Sequence, residues 1–222
     1  MSMKIKIPVP ESLSEMTLEQ YQKFEQINTE DNQGSNFLLQ KMVEIFCNLP
    51  LKDIATVKFV YVQKIINQLN KTFQAKTPLI NTFVMDGIEY GFIPKLDDMT
   101  LGEYIDIDNN IKDWQNMHKA MTVLYRPVKF KKDSRYQIED YTAEENTELM
   151  KQMPLDVVMG SLVFFYLLQE ELLETTLNYL SKEMEESLTM EQKQILEKNG
   201  VGISQSMDWL RGMLPSMTWL PN

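Results

Sequence analysis

A single cysteine, Cys47, and a single histidine, His118, stand among 222 residues. One cysteine excludes an intramolecular disulfide framework and any multi-cysteine zinc site. One histidine removes most hydrolytic triads and histidine-rich metal sites. Arginine is scarce as well, at positions 126, 135 and 211 alone. With 32 acidic against 22 basic residues the formal charge is -10. Phosphate recognition favours arginine's planar fork, so this balance argues against a general nucleic-acid binder. GxGxxG, Walker A, HExxH and CxxC are all missing, and no catalytic or cofactor motif replaces them. Long apolar runs are missing too. The most apolar stretch, Val157 to Leu168, is about twelve residues long, short of the ~20 that cross a bilayer. The opening residues, Met1 to Met16, lack the continuous apolar segment of a signal peptide. The expectation is cytosolic residence, with no membrane partner, no small-molecule substrate, no metal and no cofactor.

What is present is ordinary for a folded protein: 43% hydrophobic and 24% charged residues, with ample chain for a sizeable core. Helix starts dominate the pattern. Thr17-x-x-Gln20, Thr100-x-x-Glu103, Thr142-x-x-Glu145 and Thr189-x-x-Gln192 all read as capping boxes. Ser35 caps a helix carrying Phe37, Leu38, Met42, Ile45 and Phe46, ended by Pro50. Helical spacing then runs from about Val57 to Phe73 and again from Asp113 to Tyr125, where Arg126-Pro127 stops it. Pro154 suits the first turn of a long helix reaching about Glu186. Apolar residues surround that helix over its first half, so it is expected to be an enclosed core element, with Phe165 buried.

Strand signals are few. Lys4 to Val9 alternates charge with branched residues and predicts a short edge strand. Asp86-Gly87 joins the β-prone runs Asn81–Met85 and Ile88–Phe92, a strong hairpin signature. Val128 to Ile138 predicts a second, charged hairpin around Lys132-Asp133-Ser134. The fold expected is α+β and mainly α: a helical-bundle core, two small hairpins near residues 81–92 and 127–139, and no extended sheet. The units read as residues 1–78 (strand plus helices), 79–188 (hairpin and central helical core) and 189–222 (C-terminal helix and interaction tail).

One pattern recurs. Leu13, Met16, Thr17, Leu18 and Tyr21 return as Leu96, Met99, Thr100, Leu101 and Tyr104 at a constant offset of 83. Internal duplication explains the match, and so does reuse of a good helix start.

Candidate sites are surfaces more than chemistry. Asp97, Asp98, Glu103, Asp106 and Asp108 could suggest a cation, but a capping box and the helix dipole account for them, and the glycine-turn spacing of a calcium loop is absent. His118 reads as a partly exposed helix histidine and Cys47 as a small core residue. Arg126, Lys129, Lys131, Lys132 and Arg135 make the one basic cluster. It is either a solvated hairpin tip or a contact for an acidic partner or a DNA path. In the tail, Met207, Trp209, Leu210, Met213, Leu214, Met217 and Trp219 crowd apolar anchors between Gly202 and the prolines 215 and 221. So short and broken a segment folds poorly alone. It must fold back on its own domain or dock on an adjacent subunit.

The blocks Tyr90-Gly-Phe-Ile-Pro-Lys-Leu96, Met99-Thr-Leu-Gly-Glu-Tyr-Ile-Asp106, His118-Lys-Ala-Met-Thr-Val-Leu-Tyr-Arg-Pro127 and Tyr136-Gln-Ile-Glu-Asp-Tyr141 occur in order. Met153-Pro-Leu-Asp-Val-Val-Met-Gly160 and Phe164-Phe-Tyr166 follow them. Over roughly residues 80–180 this resembles a family of proteins of tailed bacteriophages, crAss-like phages among them. The motifs are structural, with no catalytic residue to carry over. The resemblance implies a non-enzymatic virion protein, assembled in the host cytoplasm and belonging to a ring or a neck or tail assembly at the head–tail junction. Its partners would be other phage structural proteins and copies of itself, without sequence-specific nucleic acid. A soluble tail assembly chaperone, absent from the mature particle, is the alternative. A hydrolase or metal enzyme is the reading from a third class.

Overall fold

The structure is a computed structural model that describes residues 7–133, 135–142 and 147–168. Three expectations lie outside the described residues, wholly or at the masked positions they depend on: the Thr142 capping box, the helix beyond residue 168 and the Thr189 helix. The tail beyond residue 203 lies wholly outside them too. The described part is mainly helical with one small antiparallel sheet, an α+β fold.

Helix α1 spans Leu18–Glu25 and opens as expected. The Gln20 amide N–H donates to Thr17 Oγ1 at 3.3 Å, and the Thr17 N–H donates back to Gln20 Oε1 at 3.0 Å. Helix α2, Asn36–Cys47, starts on the Ser35 hydroxyl. It ends at Asn48, whose φ of 49° is the left-handed cap that asparagine tolerates. A one-turn helix α3 (Leu51–Ile54) follows Pro50 directly, and α4 (Phe59–Phe73) begins two residues later than Val57. The expected N-terminal edge strand does not form in its described part, because Ile7–Pro10 pair with no strand. Pro8 and Pro10 cannot donate to a ladder, which removes half the pairing such a strand needs.

Both expected hairpins are present. Strands β1 (Thr82–Met85) and β2 (Ile88–Phe92) turn at Asp86 and Gly87, both with positive φ (51° and 79°), as a two-residue type I′ turn requires. Strands β3 (Tyr125–Lys132) and β4 (Arg135–Ile138) make the second. The two are joined into a single sheet of order β1-β2-β3-β4 by pairing Gly91 with Arg126 and Phe92 with Tyr125. Pro127 is tolerated because β3 changes partner there: residues up to 127 pair with β2, and those from Val128 pair with β4 across a bulge.

Between β2 and β3 lie α5 (Leu101–Asn110) and α6 (Met117–Leu124). The last helix ends a residue earlier than its spacing suggests. Tyr125 is already extended, as the approach to a pre-proline residue favours. Its ring packs edge-on against Phe83 and Phe92, and its hydroxyl donates to Ile80 O at 2.9 Å. Every residue of α6 except Lys119 is buried. Helix α7, described over residues 155–168, lies within the same core through Leu155, Val157, Val158, Leu162 and Tyr166. A Cβ on Gly160 would sit 2.3 Å from the carbonyl oxygen of Pro78, so the backbones meet where only glycine fits. The expectation that apolar residues enclose α7 throughout is corrected near its end. Phe165 is half-buried against Phe92 and Phe164, and Leu167 is exposed, while Tyr166 takes the interior.

Candidate functional site

Strand β3, β4 and the start of α5 frame an open cleft of about 1300 Å³. Its floor holds a buried ion pair. Arg126 Nη1 lies 2.8 Å from Glu103 Oε1, with the two side chains 8% and 5% exposed. The other carboxylate oxygen of Glu103 closes the α5 capping box, accepting from the Thr100 N–H at 2.7 Å and the Thr100 hydroxyl at 2.8 Å. One carboxylate thus ties the helix start to the centre of the sheet. Arg126 Nε is buried without a hydrogen-bond partner among the described residues.

Placing Arg126 there corrects the expected basic cluster, in which it stood on an exposed hairpin. Arg126 points inward to Glu103, on the β2-paired part of β3, while the other four cations lie beyond the change of partner at the bulge. Lys129 pairs with Asp140 at 3.0 Å and Lys131 pairs with Glu89. Glu89 is thereby held below the usual carboxylate range, first by the Lys131 hydrogen bond. Lys132 and Arg135, at the exposed end of the hairpin, make no ion pair among the described residues. Asp98, Asp133 and Asp140 line the same cleft. With its cations so interleaved, the cleft carries little of the uniform positive potential by which phosphate backbones are held. The tail residues Met207, Trp209, Leu210, Met213, Leu214, Met217 and Trp219 lie outside the described residues.

The repeated helix start gives the more informative comparison. In the first copy a 3₁₀ turn (Leu13–Glu15), extended Met16 and capping Thr17 lead into α1. An extended segment covers it. Thr17 bridges to Pro154, the Leu18 N–H donates to Met153 O, and the Leu155 N–H donates to Met16 O, both at 2.9 Å. Met16, Leu18 and Tyr21 are buried. The second copy repeats the backbone: a 3₁₀ turn (Leu96–Asp98), extended Met99 and a reciprocal Thr100 capping box. Nothing among the described residues covers this copy. Leu101 is 74% and Tyr104 62% exposed, with Ile105 beside them, so i, i+3 and i+4 positions form an apolar stripe on the outer face of α5. Glu103 and Ile107 occupy its inner face. Sequence reading registered Leu101 and Tyr104 only as repeat matches. The signal that they face outward was their phase relative to Glu103 and Ile107.

Other expected sites resolve into structure. His118 is buried, not partly exposed. Its Nδ1 lies 3.2 Å from Gln22 Nε2, which also donates to Trp114 O at 2.7 Å. Its Nε2 stands 3.4 Å from Glu148 Oε1 without a hydrogen bond. Burial first, then the nearby Lys151 charge, hold its pKa below the ordinary histidine value, against a weaker opposing pull from Glu148. Cys47 is a core residue, and desolvation pushes its thiol up to about 11. In the acidic stretch, Asp98 faces Lys95, Asp106 accepts from the Tyr141 hydroxyl and Asp108 pairs with Lys112. Among the described residues no group of three or more candidate ligands could hold a metal ion, and no helix is long and apolar enough to cross a membrane. No family model, curated protein or solved structure matches this chain.

Proposed function

We propose that this chain is a non-enzymatic structural subunit of a tailed-phage particle, working through protein–protein contacts in a ring, neck or tail assembly. The observation that carries the reading is the outer face of α5. A helix start whose leucine and tyrosine are buried in the first copy, as Leu18 and Tyr21, is here presented to solvent, with Leu101, Tyr104 and Ile105 in one stripe. Monomeric proteins rarely leave contiguous apolar surface open unless something binds it. Separately, Phe130 is exposed on the wall of the cleft, which Lys132 and Arg135 also line. Apolar centres with polar edges are the composition of interface patches. The resemblance of the ordered blocks between residues 80 and 180 to tailed-phage proteins is what suggests the particle context.

Mass spectrometry of purified particles tests the proposal. The chain should be recovered in fixed stoichiometry with the other structural proteins. Recovery from the infected-cell lysate alone would instead place it with assembly chaperones.

A further inference from the structure

Building on that assembly reading, we infer that the Met99–Thr100–Leu101 start of α5 is the acceptor for the C-terminal tail of a second copy, which adds there as a short extended segment around Leu214-Pro215-Ser216. The first copy of the motif shows what such a start accepts. At Met16-Thr17-Leu18 the occupant is Met153-Pro154-Leu155, held by two backbone hydrogen bonds of 2.9 Å on either side of the proline. Proline suits the central position because it lacks a donor, and it biases the residue before it to extended backbone. The residue before it offers a carbonyl to the helix start, and the residue after it offers an N–H to the extended methionine.

At the second copy the same two groups, the Leu101 N–H and the Met99 carbonyl, have no partner among the described residues, and the leucine beside them is exposed. Among the described residues, prolines preceded by an apolar residue are already used by the fold: Pro50 caps α3, Pro94 sits in a bend, Pro154 covers the first copy, and Pro8 and Pro10 follow Ile7 and Val9, which pack against the core. Outside them the sequence offers Leu214-Pro215 and Leu220-Pro221. The first has methionine on both sides, Met213 and Met217, adaptable side chains suited to an irregular apolar face. From Leu168 to Leu214 there are 46 positions (214 − 168), about 70 Å even at the short rise of a helix. That is ample to reach a neighbouring subunit. Because the donor and acceptor are different surfaces, the contact is heterologous and propagates head to tail, as rings and filaments require.

Sedimentation velocity of the full-length chain over rising concentration tests this, using Leu101→Asp, Leu214→Asp and an equimolar mixture of the two. Leu101 is exposed at the first position of α5, where aspartate favours the helix dipole, so that variant keeps its fold; matching thermal melts verify this. The wild type should assemble and each variant alone should stay monomeric. The mixture should stop at a one-to-one dimer, since one variant retains an intact tail and the other an intact face. If the wild type assembles and Leu101→Asp assembles equally well, or the mixture stays monomeric, the acceptor assignment is wrong while the assembly reading stands. A wild type that remains monomeric throughout overturns both. In that case, a change of tryptophan fluorescence on Leu101→Asp would mean the tail folds back on its own chain, and no change would leave the face to a different protein.

Discussion

Replacing Arg126 with methionine isolates the contact that joins the two hairpins to α5. The Arg126–Glu103 pair is closed at 2.8 Å with both side chains more than nine-tenths buried. Removing one partner of such a pair leaves an uncompensated buried charge, which typically costs about 3–5 kcal/mol. The two single variants should differ. In Arg126→Met the stranded carboxylate still accepts from the Thr100 N–H and hydroxyl, and methionine keeps much of the aliphatic stem, so the loss should fall near 3 kcal/mol. In Glu103→Gln the guanidinium is left with Nε already unpartnered, so the loss should approach about 5 kcal/mol. The double variant removes both charges and should be more stable than either single one, because a buried pair contributes little net stability once desolvation is counted. Urea unfolding followed by far-ultraviolet circular dichroism reads this directly. With m of roughly 2 kcal/mol/M, a loss of 3 kcal/mol moves the midpoint down by about 1.5 M. A shift below about 0.3 M for Arg126→Met, or a double variant weaker than both singles, would refute the assignment of this pair as the link between sheet and helix.

Three further outcomes follow from particular contacts. Gly160→Ala should destabilise by about 1–3 kcal/mol, since the added methyl would sit 2.3 Å from Pro78 O; an unchanged melting temperature would mean the two backbones do not meet. Leu162→Ala, in the core, should cost roughly 2–5 kcal/mol, whereas exposed Leu167→Ala should stay within about 0.5 kcal/mol; equal tolerance would place α7 at the surface. His118, with its folded pKa depressed, contributes stability that is intact above its unfolded value of roughly 6.5 and is lost as pH falls toward the folded value. His118→Asn should therefore lessen the drop in urea midpoint between pH 7.5 and 5.5, and an identical drop in both proteins would deny the histidine that role. Subtracting the variant curve removes the opposite drift from Glu25 and Asp156, whose pKa values burial raises.

Local chemistry was the legible part of the fold. Thr17, Ser35 and Thr100 accept the amide bonds their spacing predicts, and Asp86-Gly87 takes the two positive φ angles its turn demands. Each of those features depends on four neighbouring residues and little else. The joining of the hairpins does not. It rests on Gly91 lying opposite Arg126 and beneath Tyr136, whose hydroxyl donates to Phe92 O at 2.7 Å. Residues 35 to 45 positions apart carry no shared local pattern, so nothing in either hairpin announces the other. The end of α6 is a milder case. The Arg126-Pro127 stop was visible, but the choice of extended backbone at Tyr125 is made by the aromatic cluster it enters.

The site divides along the same line, and it shows how a repeat can be more informative than the residues it repeats. Five cations close together in sequence suggest a basic cluster, but a bulge between Val128 and Phe130 interrupts the strand alternation among them, so their sequence spacing does not tell which share an environment. Burial then turned Arg126 into the tie between β3 and α5, while Lys129 and Lys131 found acidic partners on neighbouring segments. The repeated Met-Thr-Leu start carries more weight because its two copies have the same backbone and opposite environments. Intrinsic propensity sets the turn, the cap and the first helical residues in both, so propensity cannot be what buries one and exposes the other. The difference is the covering segment: Met153-Pro154-Leu155 lies on the first copy, and no described segment lies on the second. A chain that keeps Leu101 and Tyr104 where Leu18 and Tyr21 are core residues retains an apolar face that its own described fold does not use. The physical cost of that face in water is what makes a bound segment, and not a free surface, the expected state of α5.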